Sequence, residues 1–199
     1  MRRVILLFVK WPQAGRVKTR IAATTGAERA AEIYRELVTK VCARLPRTTP
    51  VIVHFDPPER RAEIEAWLAP KLPPSSTFEP QARGDLGMRL QAAFASAFAA
   101  GWEHVAVIGS DCVEITPAIF EEAWGADDAA IGPTEDGGYY LLSLRRAEPA
   151  LFENIRWSTE HTLADTISRA VAAGVRLRRL PILRDVDTES DWLRASAGS

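Results

Sequence analysis

Val105-Ala106-Val107-Ile108-Gly109-Ser110-Asp111 is the stretch that decides the fold. A short apolar run rich in β-branched residues, closed by a glycine and followed by a carboxylate, predicts a strand buried on both faces of a parallel sheet, where no polar alternation is needed. Asp111 then stands just past the carboxyl end of a central strand. Ligands of open α/β sheets bind in the crevice outside those strand ends, which makes Asp111 a candidate site residue. As a plain loop residue or helix cap it would need no ligand.

Working outward, Val4 to Val9 is a second run of the same kind. The stretch after it, Lys10 to Arg20, carries Lys10, Arg16, Lys18 and Arg20 and no acid, with Pro12 and Gly15 breaking any helix. Such a mobile cationic loop at a strand end suits a phosphate: glycine frees backbone N–H groups, lysine is a point charge and arginine a two-pronged donor. It lacks the Gly-Lys-Ser/Thr of a Walker A loop and any G-x-G-x-x-G. A solvated basic loop is the alternative.

A long amphipathic helix follows, with Ala30, Tyr34, Leu37, Val38, Val41 and Leu45 on one face and Pro46 at its end. Val51 to Phe55 reads as a strand, Glu59 to Leu68 as a short helix, and Pro73 to Pro80 as a loop holding at most an edge strand. His54 reads as structural. In Gly84-Asp85-Leu86-Gly87-Met88-Arg89 the simplest role for Asp85 is to cap the next helix. A glycine-rich loop entering a helix can also approach an anion closely, with Arg83 and Arg89 to pair with it.

Beyond Asp111, Thr116-Pro117 starts a helix. Ala129 to Gly132 is a brief strand, and Asp136-Gly137-Gly138 before Tyr139 to Leu144 signals a hairpin. The same residues would also make a flat backbone platform against a sugar-like ligand. A helix starting at Ser158 or Thr159, with His161 in its first turn, and a strand over Val175 to Leu180 complete the alternation. Thr188 with Asp191 is a capping pair, which leaves Asp185 and Asp187 unexplained. Carboxylates at i and i+2 are costly side by side without a cation, and hard oxygen ligands suit Mg²⁺ or Mn²⁺.

The 199 residues suit one domain, 1–199. Regular alternation of strands and helices predicts a single doubly wound α/β unit with a mainly parallel sheet and helices on both faces. A net charge of −1 provides no field for nucleic acid or an anionic membrane, and no segment reaches the length of a membrane span. The apolar start is too short for a signal peptide. Two cysteines, Cys42 expected in the core and Cys112 expected to be partly exposed, make no disulfide framework and fit a reducing cytoplasm.

The loop Lys10 to Arg20, the Gly84 to Arg89 segment, Gly109-Ser110-Asp111, Gly132 to Gly138 and Asp185-Val186-Asp187-Thr188, in that order, resemble the nucleotide-diphospho-sugar transferase superfamily with its GT-A fold. Within it the chain resembles a bacterial family of small glycosyltransferase-like proteins, the DUF2064 group. The resemblance implies that Lys10, Gly15, Lys18 and Arg20, with Gly84, Asp85 and Arg89, bind the nucleotide. It implies that Asp111 holds Mg²⁺ or Mn²⁺, completed by Asp187 or, less simply, Asp185. Gly137 and Gly138 would line the acceptor side, and Asp136 would serve as base or second ligand. The catalytic set is then Asp111, Asp136 and Lys18. The implied ligands are a nucleotide or nucleotide sugar and a small-molecule acceptor. The D-x-D form of many glycosyltransferases is missing, since Ser110-Asp111-Cys112 supplies one carboxylate. Glycosyl transfer, nucleotidyl transfer to a small phosphorylated acceptor, and nucleotide binding without catalysis all remain open at this point.

Overall fold

A computed structural model describes residues 1–197; the last two residues of the expected 1–199 domain lie outside the described part. Seven strands form one sheet in the order β3-β2-β1-β4-β6-β5-β7. They are β1 (Arg3–Lys10), β2 (Val51–Asp56), β3 (Thr77–Pro80), β4 (His104–Ile108), β5 (Ala129–Pro133), β6 (Tyr139–Leu144) and β7 (Leu177–Arg179). The quoted stretch is therefore the middle strand, β4. All neighbours pair in parallel except β6, which runs antiparallel to both β4 and β5. The hairpin signalled by Asp136-Gly137-Gly138 places it there, because a tight turn can only join antiparallel strands.

Among the described residues seven α-helices flank the sheet: α1 (Thr19–Thr25), α2 (Ala27–Arg44), α3 (Arg61–Leu68), α4 (Leu86–Ala99), α5 (Pro117–Trp124), α6 (Thr162–Ala172) and α7 (Glu189–Ala197). The strand period of two sends alternate side chains to opposite faces. Ile5, Leu7, Val9, Ala106 and Ile108 join a core with α2, α3 and α5, while Val4, Leu6, Val105 and Val107 join another with α4 and α6. Every one of these is buried, which is why neither β1 nor β4 shows polar alternation. A third cluster packs Ile21, Ile33, Leu37, Val186 and Trp192, tying α1, α2 and α7 to the loop that carries Asp185 and Asp187.

Several local expectations need correction. The basic stretch does not run as an open loop to the long helix, because Thr19–Thr25 forms α1 with Ile21 buried. The helix expected from Ser158 begins at Thr162, since Ser158 takes a left-handed backbone, φ 59, that no helix continues. The last strand is only Leu177–Arg179. Cys112 is buried, 5% exposed, and burial pushes its thiol pKa up to about 12. The caps stand as read: the Asp85 carboxylate accepts from the Met88 N–H at 2.9 Å, and Asp191 accepts from the Thr188 N–H at 2.8 Å. Among the described residues no helix is long and apolar enough to cross a membrane.

Candidate functional site

The chain leaves β1 for β2 on one side and returns through α4 to β4 on the other, so β1 and β4 are neighbours with diverging connections. That is a topological switch point, where a crevice opens outside the strand ends. A cleft of about 960 Å³ lies there.

At its floor the Lys18 ammonium sits 3.1 Å from Asp111 Oδ2 and 3.0 Å from Asp187 Oδ1, and its side chain is only 6% exposed. Arg20 reaches Asp187 from outside at 3.4 Å. Burial alone would lower the Lys18 pKa; the two carboxylates outweigh it, and the pKa is raised. Lys18 takes φ 44 and ψ 52 at the start of α1, a left-handed conformation costing a side-chain-bearing residue roughly 1–2 kcal/mol. Strain of that kind persists only where the surroundings over-determine it, as two ion pairs do here.

Asp187 meets Asp111, 76 positions earlier, because the segment between β7 and α7 runs along the strand ends. The Leu183 N–H donates to the Pro133 carbonyl and the Val186 N–H to the Asp111 carbonyl, each at 3.1 Å. Buried Val186 pins the loop so that the acids on either side face the cleft. Asp185 is pushed up to about 7 by burial first, then by Asp111 and Asp136. Asp136 also lines the cleft; its Oδ1 accepts from Thr134 Oγ1 at 2.6 Å and from the Gly138 N–H at 3.0 Å, an arrangement that shapes the hairpin turn.

Lys10, Gly84, Asp85, Arg89 and Gly138 join the same cleft, whereas Gly15 and Gly137 do not line it. Gly15 has nothing within 4 Å of where a Cβ would stand. Gly137, at φ +87, packs beneath the turn, its would-be Cβ 2.2 Å from the Glu160 carbonyl. Arg89 is held by the Gly84 carbonyl at 2.9 Å and by Gln81 Oε1 at 3.1 Å. Trp11 packs away from the cleft, edge-on to Trp67 and under Arg35 and Arg60.

Five contributors escaped the sequence. Tyr34 lies in the apolar face of α2, yet its hydroxyl accepts from the Lys10 N–H and shares a hydrogen bond with Ser110 Oγ, both at 2.9 Å. A tyrosine on an otherwise apolar face was the available signal, because a buried phenol needs a partner. Gln81 donates to the Val9 and His54 carbonyls, lacing β1 to β2. Ser158, Thr159 and Glu160, all exposed, also line the cleft.

Asp111 Oδ1 is buried without a hydrogen-bond partner, and Asp185 adds a second carboxyl close enough to raise its own pKa. This donor chemistry fits a hard divalent cation, although the space between Asp111 and Asp187 is spanned by Lys18. Among the described residues no three His, Cys, Asp or Glu side chains converge as a complete metal group. Magnesium sites of the kind that bind one or two carboxylates take their remaining ligands from water and substrate phosphates.

The sequence profile of a family described as "Uncharacterized protein conserved in bacteria (DUF2064)" matches residues 38–159. A crystal structure of a candidate nucleotide-diphospho-sugar transferase from Desulfovibrio desulfuricans G20 is 34% identical, with a TM-score of 0.86 over 94% of this chain and 84% of that one. A 4-diphosphocytidyl-2C-methyl-D-erythritol synthase from Anaerococcus prevotii DSM 20548 shares the fold at 9% identity and a TM-score of 0.64, covering 99% of this chain and 97% of that one. A CMP:2-keto-3-deoxy-manno-octonic acid synthetase, solved with CTP, shares it at 13% identity and a TM-score of 0.58, covering 99% and 98%. No curated protein matched in sequence. The chain belongs to the DUF2064 family and has the α/β fold of the nucleotide-diphospho-sugar transferases.

Proposed function

We propose that this protein is a transferase that uses a nucleotide-activated donor, with glycosyl transfer from a nucleotide sugar as the reading favoured first. The observation that carries it is the meeting of Lys18, Arg20, Asp111 and Asp187 at the switch point of the sheet. Lys18 and Arg20 supply a point charge and a fork to hold a diphosphate. Lys10 and Arg89 add to that cationic lining. The fold of the cytidylyl-type synthases, one solved with CTP, supports a nucleotide in the crevice.

Asp111, with Asp185 or Asp187, would hold Mg²⁺ or Mn²⁺, whose role is to neutralise charge on the departing phosphate. Lys18 and Arg20 keep the leaving diphosphate in place and offset its charge in a partly desolvated floor. In glycosyl transfer the acceptor hydroxyl loses a proton, and Asp136 on the hairpin is the group proposed to take it. Gly138 lines the cleft beside it, on the side proposed for the acceptor.

A second reading, nucleotidyl transfer to a small phosphorylated acceptor, is favoured by one observation: Asp111 pairs through Lys18 with an acid late in the chain, not with a neighbour in a D-x-D. A phosphate acceptor would need no base, so Asp136 would be dispensable. Product analysis separates the readings. The protein is incubated with UDP-glucose, GDP-mannose or the four nucleoside triphosphates, with candidate acceptors and Mn²⁺. Nucleoside diphosphate release supports glycosyl transfer and pyrophosphate release supports nucleotidyl transfer. Either should be lost in Asp111→Asn. Nucleotide binding with no turnover across the panel would leave a binding module in place of an enzyme.

A further inference from the structure

The cleft has two unlike halves. Around Lys18 it is charged, whereas toward α4 and the hairpin its walls are Phe8, Leu86, Leu90, Val107, Tyr139 and Trp157. The phosphate chemistry above uses nothing in this apolar half. Leu90 and Val107 are buried core residues, while Trp157 is only half-buried at the rim.

Trp157 is fixed from two sides. In the first turn of α4, a Cβ at Gly87 would fall 2.4 Å from Trp157 Nε1, so a glycine is needed there to admit the indole. Behind it, Asp165 accepts from the Arg156 backbone N–H at 3.0 Å and from the Arg156 guanidinium at 2.9 and 2.7 Å. The Arg156 carbonyl accepts from the hydroxyls of Thr159 and Thr162 at 2.8 and 2.9 Å. An aromatic side chain ordered before ligand arrives loses little conformational entropy on binding.

The rim beside this indole carries Ser158, Thr159 and Glu160. An aromatic plane bordered by hydroxyls and a carboxylate matches a saccharide, which offers a face of C–H bonds and an edge of hydroxyls. Building on the transferase reading, we infer that Trp157 is a specificity-determining residue that stacks on a sugar ring, whether donor or acceptor supplies it.

The test compares binding to the parent, Trp157→Ala, Trp157→Phe and Gly87→Ala, each first checked for folding by its melting curve. UDP, UDP-glucose, GDP and GDP-mannose are titrated calorimetrically, and methyl glycosides are screened by saturation-transfer NMR. In Trp157→Ala, affinity should fall between about two- and tenfold, the worth of a ring stack. Gly87→Ala should show the same loss without deleting the ring, and Trp157→Phe should recover most of it. A loss confined to the nucleotide sugars assigns the ring to the donor; a loss confined to the methyl glycosides assigns it to the acceptor. Equal weakening of UDP and UDP-glucose would mean a nucleobase on Trp157 and would overturn the inference, as would no change for any sugar. Failure of the parent to bind any nucleotide while its methyl-glycoside signals depend on Trp157 would overturn the donor chemistry alone.

Discussion

Lys18→Met keeps the length and apolar stem of the side chain and removes its ammonium. Asp111 and Asp187 are then left facing a position that had held a cation 3.1 and 3.0 Å away. Removing one partner of a buried ion pair costs about 3–5 kcal/mol, because the remaining charge stays desolvated. Here the carboxylates are 39% and 36% exposed, so water screens them, and the expected loss is nearer 2–3 kcal/mol. In a domain of this size that is a fall in melting midpoint of roughly 4–12 °C. Differential scanning fluorimetry reads it directly. Adding Mn²⁺ should restore much of the loss in the variant, since an ion bound only by the folded state stabilises by about 2.7 kcal/mol at one hundred times its Kd. The parent, with its own ammonium in place, should respond far less. The reasoning is refuted if the variant melts within about 2 °C of the parent, a shift worth under 1 kcal/mol, or if Mn²⁺ moves both proteins equally.

Other perturbations read other parts of the fold. His54 is 4% exposed, and burial lowers its pKa to about 4. The unfolded chain therefore takes up a proton below about pH 6.5 that the native state refuses, and stability falls as pH drops toward 4. Replacing His54 by Phe should remove about 2–3 kcal/mol of that acid loss in urea melts at pH 4.5 against pH 7; an unchanged pH profile would count against a neutral buried imidazole. Gly137→Ala should cost at least about 1–3 kcal/mol, because it adds a Cβ 2.2 Å from the Glu160 carbonyl at φ +87, and a neutral result in thermal melts would mean the hairpin tip relaxes freely. Tyr34→Phe leaves the part-buried Lys10 N–H without its acceptor and the buried Ser110 hydroxyl without this partner, and an orphaned buried polar group costs about 1–3 kcal/mol. Chemical denaturation of Tyr34→Phe alongside Ser110→Ala checks this, with the larger loss expected for Tyr34.

The fold was legible because β1 and β4 are buried on both faces, so their composition alone declared them. The antiparallel course of β6 was written in Asp136-Gly137-Gly138, where local turn chemistry settles strand direction. Asp111 could be picked out because glycine and polar residues interrupt an apolar strand at its carboxyl end. Less was legible where long-range contacts override local pattern. Thr19–Thr25 lacks the spacing of a helix by itself and is held by Ile21 packing into the third cluster. Lys18 reads in sequence as one of several loop cations, and only the approach of Asp187 across the strand ends makes it a buried bridge. Cys112 follows an acid, yet the chain turns it inward. Trp11 and Trp157 both stand in loops, and only their surroundings tell them apart: Trp67, Arg35 and Arg60 enclose the first, and Gly87 seats the second at the cleft.

The most direct test of the central claim is calorimetric titration of UDP-glucose, GDP-mannose and GTP into the parent, Lys18→Met and Asp111→Asn, each with and without Mn²⁺. The account predicts that the parent binds at least one of these ligands, more tightly with Mn²⁺. Asp111→Asn should lose the metal dependence, and Lys18→Met should weaken binding by tenfold or more, or about 1.4 kcal/mol. Ligand binding of equal strength in all three proteins, indifferent to Mn²⁺, would contradict a nucleotide site built on the Lys18, Asp111 and Asp187 floor.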